Sequence, residues 1–299
     1  MTTSTASQIG KAQRWLMAIR VPTLPAAVVP VLVGSALAVR VGAFDVIVFC
    51  ITLLASLLIQ IGTNLANDYF DNEKGADTDE RLGPTRVTQS GLIPPATVRG
   101  AMLLSFGLAA LCGVYLIVVG GWPILVIGVL AIICGIAYTG GPFPLGYHGL
   151  GDFFTFVFFG LVAVLGTYFL YSGTLSTAAW LAALPVAMLV TAIIVVNNLR
   201  DAPTDTKAGK RTLAVIFGER FARVEYWLLV LGAYALLPVL WLNGSASAWV
   251  LLPLLSLLLA LPLLRLIATA NGRALNAGLK GTGRLHMVFG VLLAVGLLF

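Results

Sequence analysis

Charge is what this sequence has least of. Only a tenth of its 299 residues are Asp, Glu, Lys or Arg, whereas a soluble domain carries about a quarter, so a water-soluble globule is not expected. Cysteine is scarce too. Cys50, Cys112 and Cys134 form no CxxC pair and lie in or beside apolar stretches, where cysteine behaves as a small hydrophobe; no disulfide framework follows. His148 and His286 are isolated, which argues against a metal centre built on histidine. No small-residue cleavage site stands out after the polar, basic residues 1–20, and the apolar run behind them continues as a full span, so they do not read as a signal peptide.

What is present is hydrophobic: 59 % of the chain, in runs that approach the roughly 20 residues needed to cross a bilayer. The runs are continuous rather than alternating, and an open chain satisfies its backbone in lipid only as helix. The pattern predicts an all-α membrane protein, one domain over 1–299. Nine transmembrane helices are expected at 24–40, 44–66, 97–119, 122–139, 153–171, 178–198, 224–242, 248–268 and 285–299. With the N-terminus cytoplasmic, seventeen of the eighteen Lys and Arg fall on one side and only Arg40 opposite, as the positive-inside rule requires. The formal charge of +6 is thus a topology signal and not a sign of nucleic acid. Two inner connections, 67–96 and 199–223, are long and rich in acids and bases; each follows an even-numbered span. Spans 1–4 and 5–8 therefore read as two four-helix halves with span 9 added, helices 2 and 6 facing each other across a central cavity.

Each of those helices ends in a polar stripe. Gln60, Asn64, Asn67 and Asp71 recur at steps of 4, 3 and 4, the period of one helix face, with Asp68 beside them. Asn198, Asp201 and Asp205 repeat the spacing, although Pro203 between the aspartates predicts a kink or a restart. Polar groups in a membrane helix are costly and face the bundle interior. Two opposed carboxylate clusters followed by Lys210 and Arg211, with Arg81 and Arg86 nearby, suit a diphosphate bridged by Mg²⁺, a hard ion that takes one or two carboxylates plus phosphate oxygens. Carboxylates alone would repel a diphosphate, so the reading requires the metal. Glu73, Asp79, Glu80 and Glu219 read equally well as solvated loop charges. Tyr138 stands either as a cation-stabilising ring or as an interfacial belt tyrosine. Asp152 either orients a substrate or caps a helix, the cap being favoured.

"NDYFD" (67–71) and "RDAPTD" (200–205) resemble the two Asp-rich motifs of the UbiA-type intramembrane prenyltransferases. The longer strings "NDYFDNEKGADTDERLGPTRVTQSGLIPP" (67–95), "YTGGPFPLGYHGLGD" (138–152), "NNLRDAPTDTKAGKRTLAVIFG" (197–218) and "RVPTLPAAVVPVLVG" (20–34) look like the branch acting on 1,4-dihydroxy-2-naphthoate. The resemblance implies a nine-helix bundle in a bacterial plasma membrane whose site opens to the cytoplasm. It implies a polyprenyl diphosphate donor and transfer to 1,4-dihydroxy-2-naphthoate with loss of CO₂, giving demethylmenaquinone. In its terms Asn67, Asp71, Asp201 and Asp205 would hold two Mg²⁺ ions, with Asp68 assisting. Lys210, Arg211 and Arg20 would meet the diphosphate. Tyr138 would be catalytic, and Gln60, Asn64, Asn198 and Asp152 would line the substrate space. The basic residues that 4-hydroxybenzoate members carry after span 4 are missing from "YTGGPFPLGYHG", which leaves the group that grips the acceptor's carboxylate open. Another aromatic acceptor, homogentisate or 4-hydroxybenzoate, and, from a different class, a secondary transporter of an anion remain as alternatives; the transporter lacks an interrupted helix pair at the midplane.

Overall fold

A computed structural model describes residues 9–75 and 81–299, and among these residues every regular element is helical. In chain order they are α1 (Lys11–Ile19), α2 (Pro25–Arg40), α3 (Val46–Glu73), α4 (Pro95–Gly120), α5 (Trp122–Ala137), α6 (Gly151–Ser172), α7 (Thr177–Lys207), α8 (Leu213–Phe217), α9 (Glu219–Leu242), α10 (Ala248–Thr269) and α11 (Leu275–Leu297). Each of the nine ranges expected from sequence holds a helix among the described residues. Six, α3, α4, α6, α7, α9 and α10, are long and apolar enough to cross a bilayer; α1 with α2, bent by 50° at their junction, count as a seventh if taken as one span. The apolar α5 is shorter, and Lys280 and Arg284 make the first half of α11 polar.

Local chemistry sets the helix ends. Asp45 caps α3 by accepting from the amides of Ile47 (2.7 Å) and Val48 (3.0 Å), and Ser176 caps α7 by accepting from Ala179 (3.2 Å), each satisfying amides that the first turn leaves unpaired. Helix α7 is the central rod. Two-thirds of its apolar stretch (67 %) is buried inside the protein, against 28–39 % for the other long spans. Small residues allow this: a Cβ at Gly160 of α6 would fall 2.2 Å from the Cβ of Ala187, so the two backbones touch where lipid provides no hydrophobic drive and close packing must hold helices together. Helix α3 packs most extensively on α4, and α7 on α9. These are corresponding pairs in the two halves.

Four expectations need correction. Residues 1–20 are not simply a polar lead. Lys11–Ile19 forms an amphipathic helix that buries Ala18 against Leu65, Ala66 and Val87; Trp15, Ala18 and Ile19 had the spacing of one helix face. Helices α3 and α7 run past the expected span ends at 66 and 198, to Glu73 and Lys207, so the acids of both stripes lie within helix, as their spacing implied, and the connections are shorter than expected. Helix α7 does not restart at Pro203: it continues for another turn, with the hydroxyls of Thr204 and Thr206 bonded back to the carbonyls of Asp201 and Ala202 (2.9 and 2.8 Å). The last helix begins at Leu275, ten residues before the expected 285, so Lys280 and Arg284 lie on it. Its glycines resemble a loop but are contact points; a Cβ at Gly278, Gly281 or Gly290 would sit 2.2–2.5 Å from Ile267, Leu263 or Val29. The end of the first acidic block (residues 76 and 77) and the charges Asp79 and Glu80 lie outside the described residues.

Candidate active site

At 1.5 Å per residue the 28 residues of α3 extend about 42 Å, well beyond the ~30 Å hydrocarbon core. The helix is therefore long enough for its last turns, which carry Asn67, Asp68 and Asp71, to extend past the hydrocarbon. Gln60, Asn64, Asn67 and Asp71 all line one cavity of about 210 Å³, and Asn198, Asp201 and Asp205 of α7 line it from a second side. Arg20, Arg81, Arg86, Lys210 and Tyr138 complete the set of sequence-predicted residues on its wall.

The acids are held by fixed cations. Asp71, almost fully buried, accepts from Arg86 Nη2 at 3.0 Å and faces Lys210 Nζ at 3.3 Å, while the Tyr147 hydroxyl donates to it at 2.9 Å. Asp201 is gripped through both oxygens by its neighbour Arg200, at 2.8 and 2.5 Å. Arg200 is itself 1 % exposed and donates further to Asn197 and Asn276 (2.9 Å each). Asn276 in turn donates to the carbonyl of Leu82 at 2.9 Å, so one guanidinium ties the second acidic helix to α11 and to the loop that carries Arg81. The Asp205 carboxylate makes no hydrogen bond or ion pair among the described residues, although its backbone carbonyl accepts from the Lys210 amide at 2.9 Å. Asn67 accepts from the Thr139 hydroxyl at 3.0 Å. Lys74, just past α3, donates to the carbonyl of Thr139 (2.6 Å). Its partial desolvation lowers the ammonium's pKa, a shift that the charge of Asp71 opposes and that of Lys210 reinforces.

Three expected site residues stand elsewhere. Asp68 does not line the cavity; its oxygens accept from the backbone amides of Val87 and Thr88 (3.2 and 3.1 Å), which makes it the anchor of the loop bearing Arg86. Arg211 is exposed and off the cavity wall, its backbone amide tied to the carbonyl of Tyr147 at 2.9 Å. Asp152 does not cap α6, whose cap position is Leu150. It is buried behind the wall and accepts from Asn198 Nδ2 at 3.3–3.4 Å, positioning that amide. Sequence reasoning missed Tyr147, Arg200, Asn197 and Thr204. Arg200 could have been suspected, because a basic residue next to a site aspartate has its partner at hand. Tyr147 could not, because 76 residues separate it from Asp71.

Behind the polar cavity lies a second one of about 380 Å³ with almost wholly apolar walls from α2, α3, α4, α5 and α6. Ala26, Thr63, Tyr138, Thr155 and Phe159 line both, so the two spaces adjoin. Thr155 and Phe159 lie on a π-helical stretch of α6, Thr155–Val162, a widened turn of the kind that recurs at functional sites. The ring of Tyr138 at this seam is clamped by glycines, since a Cβ at Gly151 would lie 2.8 Å from its hydroxyl and one at Gly146 3.0 Å from its ring. The whole can seat a polar, multiply anionic head with a long hydrocarbon tail.

The donor set also bears on the expected metal. Among the described residues, no three His, Cys, Asp or Glu side chains converge closely enough to hold an ion by themselves. Mg²⁺ does not ask for that; one or two carboxylates with phosphate oxygens and water suffice. Asn67 and Asp71 on one side of the cavity and Asp201 and Asp205 on the other are oxygen donors close to Arg81, Arg86 and Lys210, a set that fits an ion bound together with a diphosphate.

A family model described as the UbiA prenyltransferase family matches residues 27–297. The chain is 40 % identical over 266 residues to 1,4-dihydroxy-2-naphthoate octaprenyltransferase of Escherichia coli (strain K12), covering 87 % of this chain and 85 % of that one. It is 36 % identical to the protein of the same description from Mycobacterium tuberculosis (strain ATCC 25618 / H37Rv), covering 96 % and 97 %. Among solved structures, a UbiA homolog from Archaeoglobus fulgidus bound to DMAPP and Mg²⁺ superposes with a TM-score of 0.68 at 15 % identity, over 95 % of this chain and 99 % of that one, a likeness of fold.

Proposed function

This chain belongs to the UbiA prenyltransferase family, and on that premise we propose that it transfers a polyprenyl group from a polyprenyl diphosphate to 1,4-dihydroxy-2-naphthoate. CO₂ and diphosphate are released and demethylmenaquinol, the reduced form of demethylmenaquinone, is formed. The observation that carries this reading is the pair of adjoining cavities, one lined by acids and cations and one by hydrocarbon, meeting at Tyr138.

Asn67, Asp71, Asp201 and Asp205 would hold the metal, two Mg²⁺ ions in our reading, the number that two opposed acidic clusters suit. When bound with the diphosphate, Mg²⁺ supplies Lewis-acid stabilisation of the charge that grows on the leaving group. The chain's own residues do the rest. Lys210, Arg86 and Arg81 add fixed positive charge where the diphosphate departs, a form of catalysis that needs no reorganisation during the step. Arg20 reaches the same cavity from the junction of α1 and α2. Tyr138 presents an aromatic ring where the allylic cation would form, and the apolar walls behind it exclude the water that would quench that cation. The electron-rich ring carbon of the acceptor then bonds to the prenyl carbon and its carboxylate leaves as CO₂.

In this reading all nine ranges cross a bacterial plasma membrane, the N-terminus is cytoplasmic and the polar cavity opens to the cytoplasm; the one-sided placement of Lys and Arg supports that orientation. A cysteine introduced in the loop 41–45 should react with an impermeant thiol reagent from outside intact cells. Labelling only after the cells are opened would invert the assignment.

The function is tested with purified protein in detergent, Mg²⁺, a polyprenyl diphosphate and a panel of aromatic acids. Mass spectrometry should find the prenylated naphthalene lacking its carboxylate. A product that retains the carboxylate, or turnover only with 4-hydroxybenzoate or homogentisate, would assign a different acceptor.

A further inference from the structure

The polar cavity contains a hydrogen-bond acceptor that neither a diphosphate nor a hydrocarbon tail can satisfy. Gln60 lines the cavity and is 6 % exposed. The way its amide faces follows from counting donors and acceptors around Thr23. The Thr23 hydroxyl donates to the carbonyl of Arg20 at 2.9 Å, so its oxygen is left to accept, and it does so from Asn64 Nδ2 at 2.9 Å and Gln60 Nε2 at 3.1 Å. Gln60 must therefore turn its nitrogen toward Thr23. Its Oε1 is then buried with no hydrogen-bond partner among the described residues. The arrangement is braced from behind, because Asn64 Nδ2 also holds the carbonyl of Ile19 at 2.8 Å.

A buried acceptor without a donor is unfavourable, and a ligand that brings a donor removes the penalty. At neutral pH a polyprenyl diphosphate has acceptors on its head and nothing on its tail, and a carboxylate also only accepts. The O–H groups in the reaction are those of the aromatic acceptor. In 1,4-dihydroxy-2-naphthoate the 1-hydroxyl lies ortho to the carboxylate and closes an internal hydrogen bond onto it, leaving the 4-hydroxyl to donate outward. Val190, Ile193, Ile194 and Leu279 form an apolar part of the same cavity wall, a surface suited to a fused ring.

We propose that Gln60 recognises the aromatic acceptor by accepting a hydrogen bond from its 4-hydroxyl at Oε1, with Thr23 as the positioning residue that sets the amide's orientation. The proposal rests on the functional reading above, and it makes Gln60 a specificity determinant for acceptors with a hydroxyl para to the first.

The test is steady-state kinetics in detergent with Mg²⁺, using Gln60→Met, which keeps length and loses the oxygen. The KM for 1,4-dihydroxy-2-naphthoate should rise about tenfold, the effect of one lost hydrogen bond, while the KM for the polyprenyl diphosphate stays at its wild-type value. The inhibition constant of 1-hydroxy-2-naphthoate, which lacks the 4-hydroxyl, should be the same in both proteins. Thr23→Val should reproduce the selective rise in acceptor KM and keeps the question answerable should Gln60→Met fail to fold. An unchanged acceptor KM in either folded variant would overturn the proposal, as would an inhibition constant that rises in step with KM, the result expected if Gln60 merely braces the wall or binds a water. If the wild-type protein makes no product from the dihydroxynaphthoate, the functional reading itself fails, a result distinct from any of these.

Discussion

At the scale of single residues, the two aspartates that end the acidic stripes differ in what else depends on them. Asp71 is buried against Arg86, Lys210 and Tyr147; neutralising it strands a buried guanidinium, and breaking such a pair costs about 3–5 kcal/mol. Asp205 lines the same cavity, and its carboxylate has no hydrogen bond or ion pair among the described residues. Asp205→Asn should therefore unfold at the wild-type temperature while kcat/KM falls by at least about a hundredfold, the usual scale for losing a group that stabilises developing charge. Asp71→Asn should lose both turnover and several degrees of thermal midpoint. Thermal melts read beside turnover separate the two, and an Asp205→Asn protein with near-normal kcat/KM would remove that residue from the metal site.

At the scale of elements, much was legible because lipid leaves the chain few choices. Long apolar runs had to be helices, and the steps of 3 and 4 between Gln60, Asn64, Asn67 and Asp71 put them on one face that does line a cavity. What stayed hidden depends on contacts between distant elements. Gly278 and Gly281 have the composition of a loop, and only the nearness of Ile267 and Leu263 explains why they belong to a helix. Pro203 reads as a breaker, yet α7 runs on to Lys207, with the hydroxyls of Thr204 and Thr206 bonded back to the carbonyls of Asp201 and Ala202 across that turn. The apolar cavity was invisible for a related reason: its walls come from five helices, each unexceptional by itself. Its geometry yields a prediction about those elements. Gly113 of α4 lines the cavity, and a Cβ there would meet nothing within 4 Å, so Gly113→Phe should fold normally and fill part of the space. Short prenyl diphosphates should remain substrates while long ones lose kcat/KM, and equal loss across chain lengths would mean the tail lies elsewhere.

At the scale of the whole molecule, the first half brings Asn67 and Asp71, the second brings Asp201 and Asp205, and the cavity lies between α3 and α7. Neither half supplies three metal-binding side chains close together, and among the described residues the two together do not either. The carboxylates of Asp71 and Asp201 meanwhile rest against Arg86, Lys210 and Arg200. In the proposed reading an ion therefore competes with these fixed cations for the same oxygens. A diphosphate changes that balance by supplying its own oxygens to the ion and its own negative charge to the arginines and lysine. Mg²⁺ and diphosphate should consequently bind with positive coupling, each raising the other's affinity by the same factor. Stability reports this directly, because a ligand at a hundred times its Kd adds about 2.7 kcal/mol to the folded state. In detergent, Mg²⁺ alone and an unreactive diphosphate analogue alone should each shift the thermal midpoint little. The two together should raise it by several degrees, and EDTA should cancel the gain along with turnover. A full shift from Mg²⁺ by itself would instead require a preformed cage, and the bridging role assigned to the diphosphate would have to be abandoned.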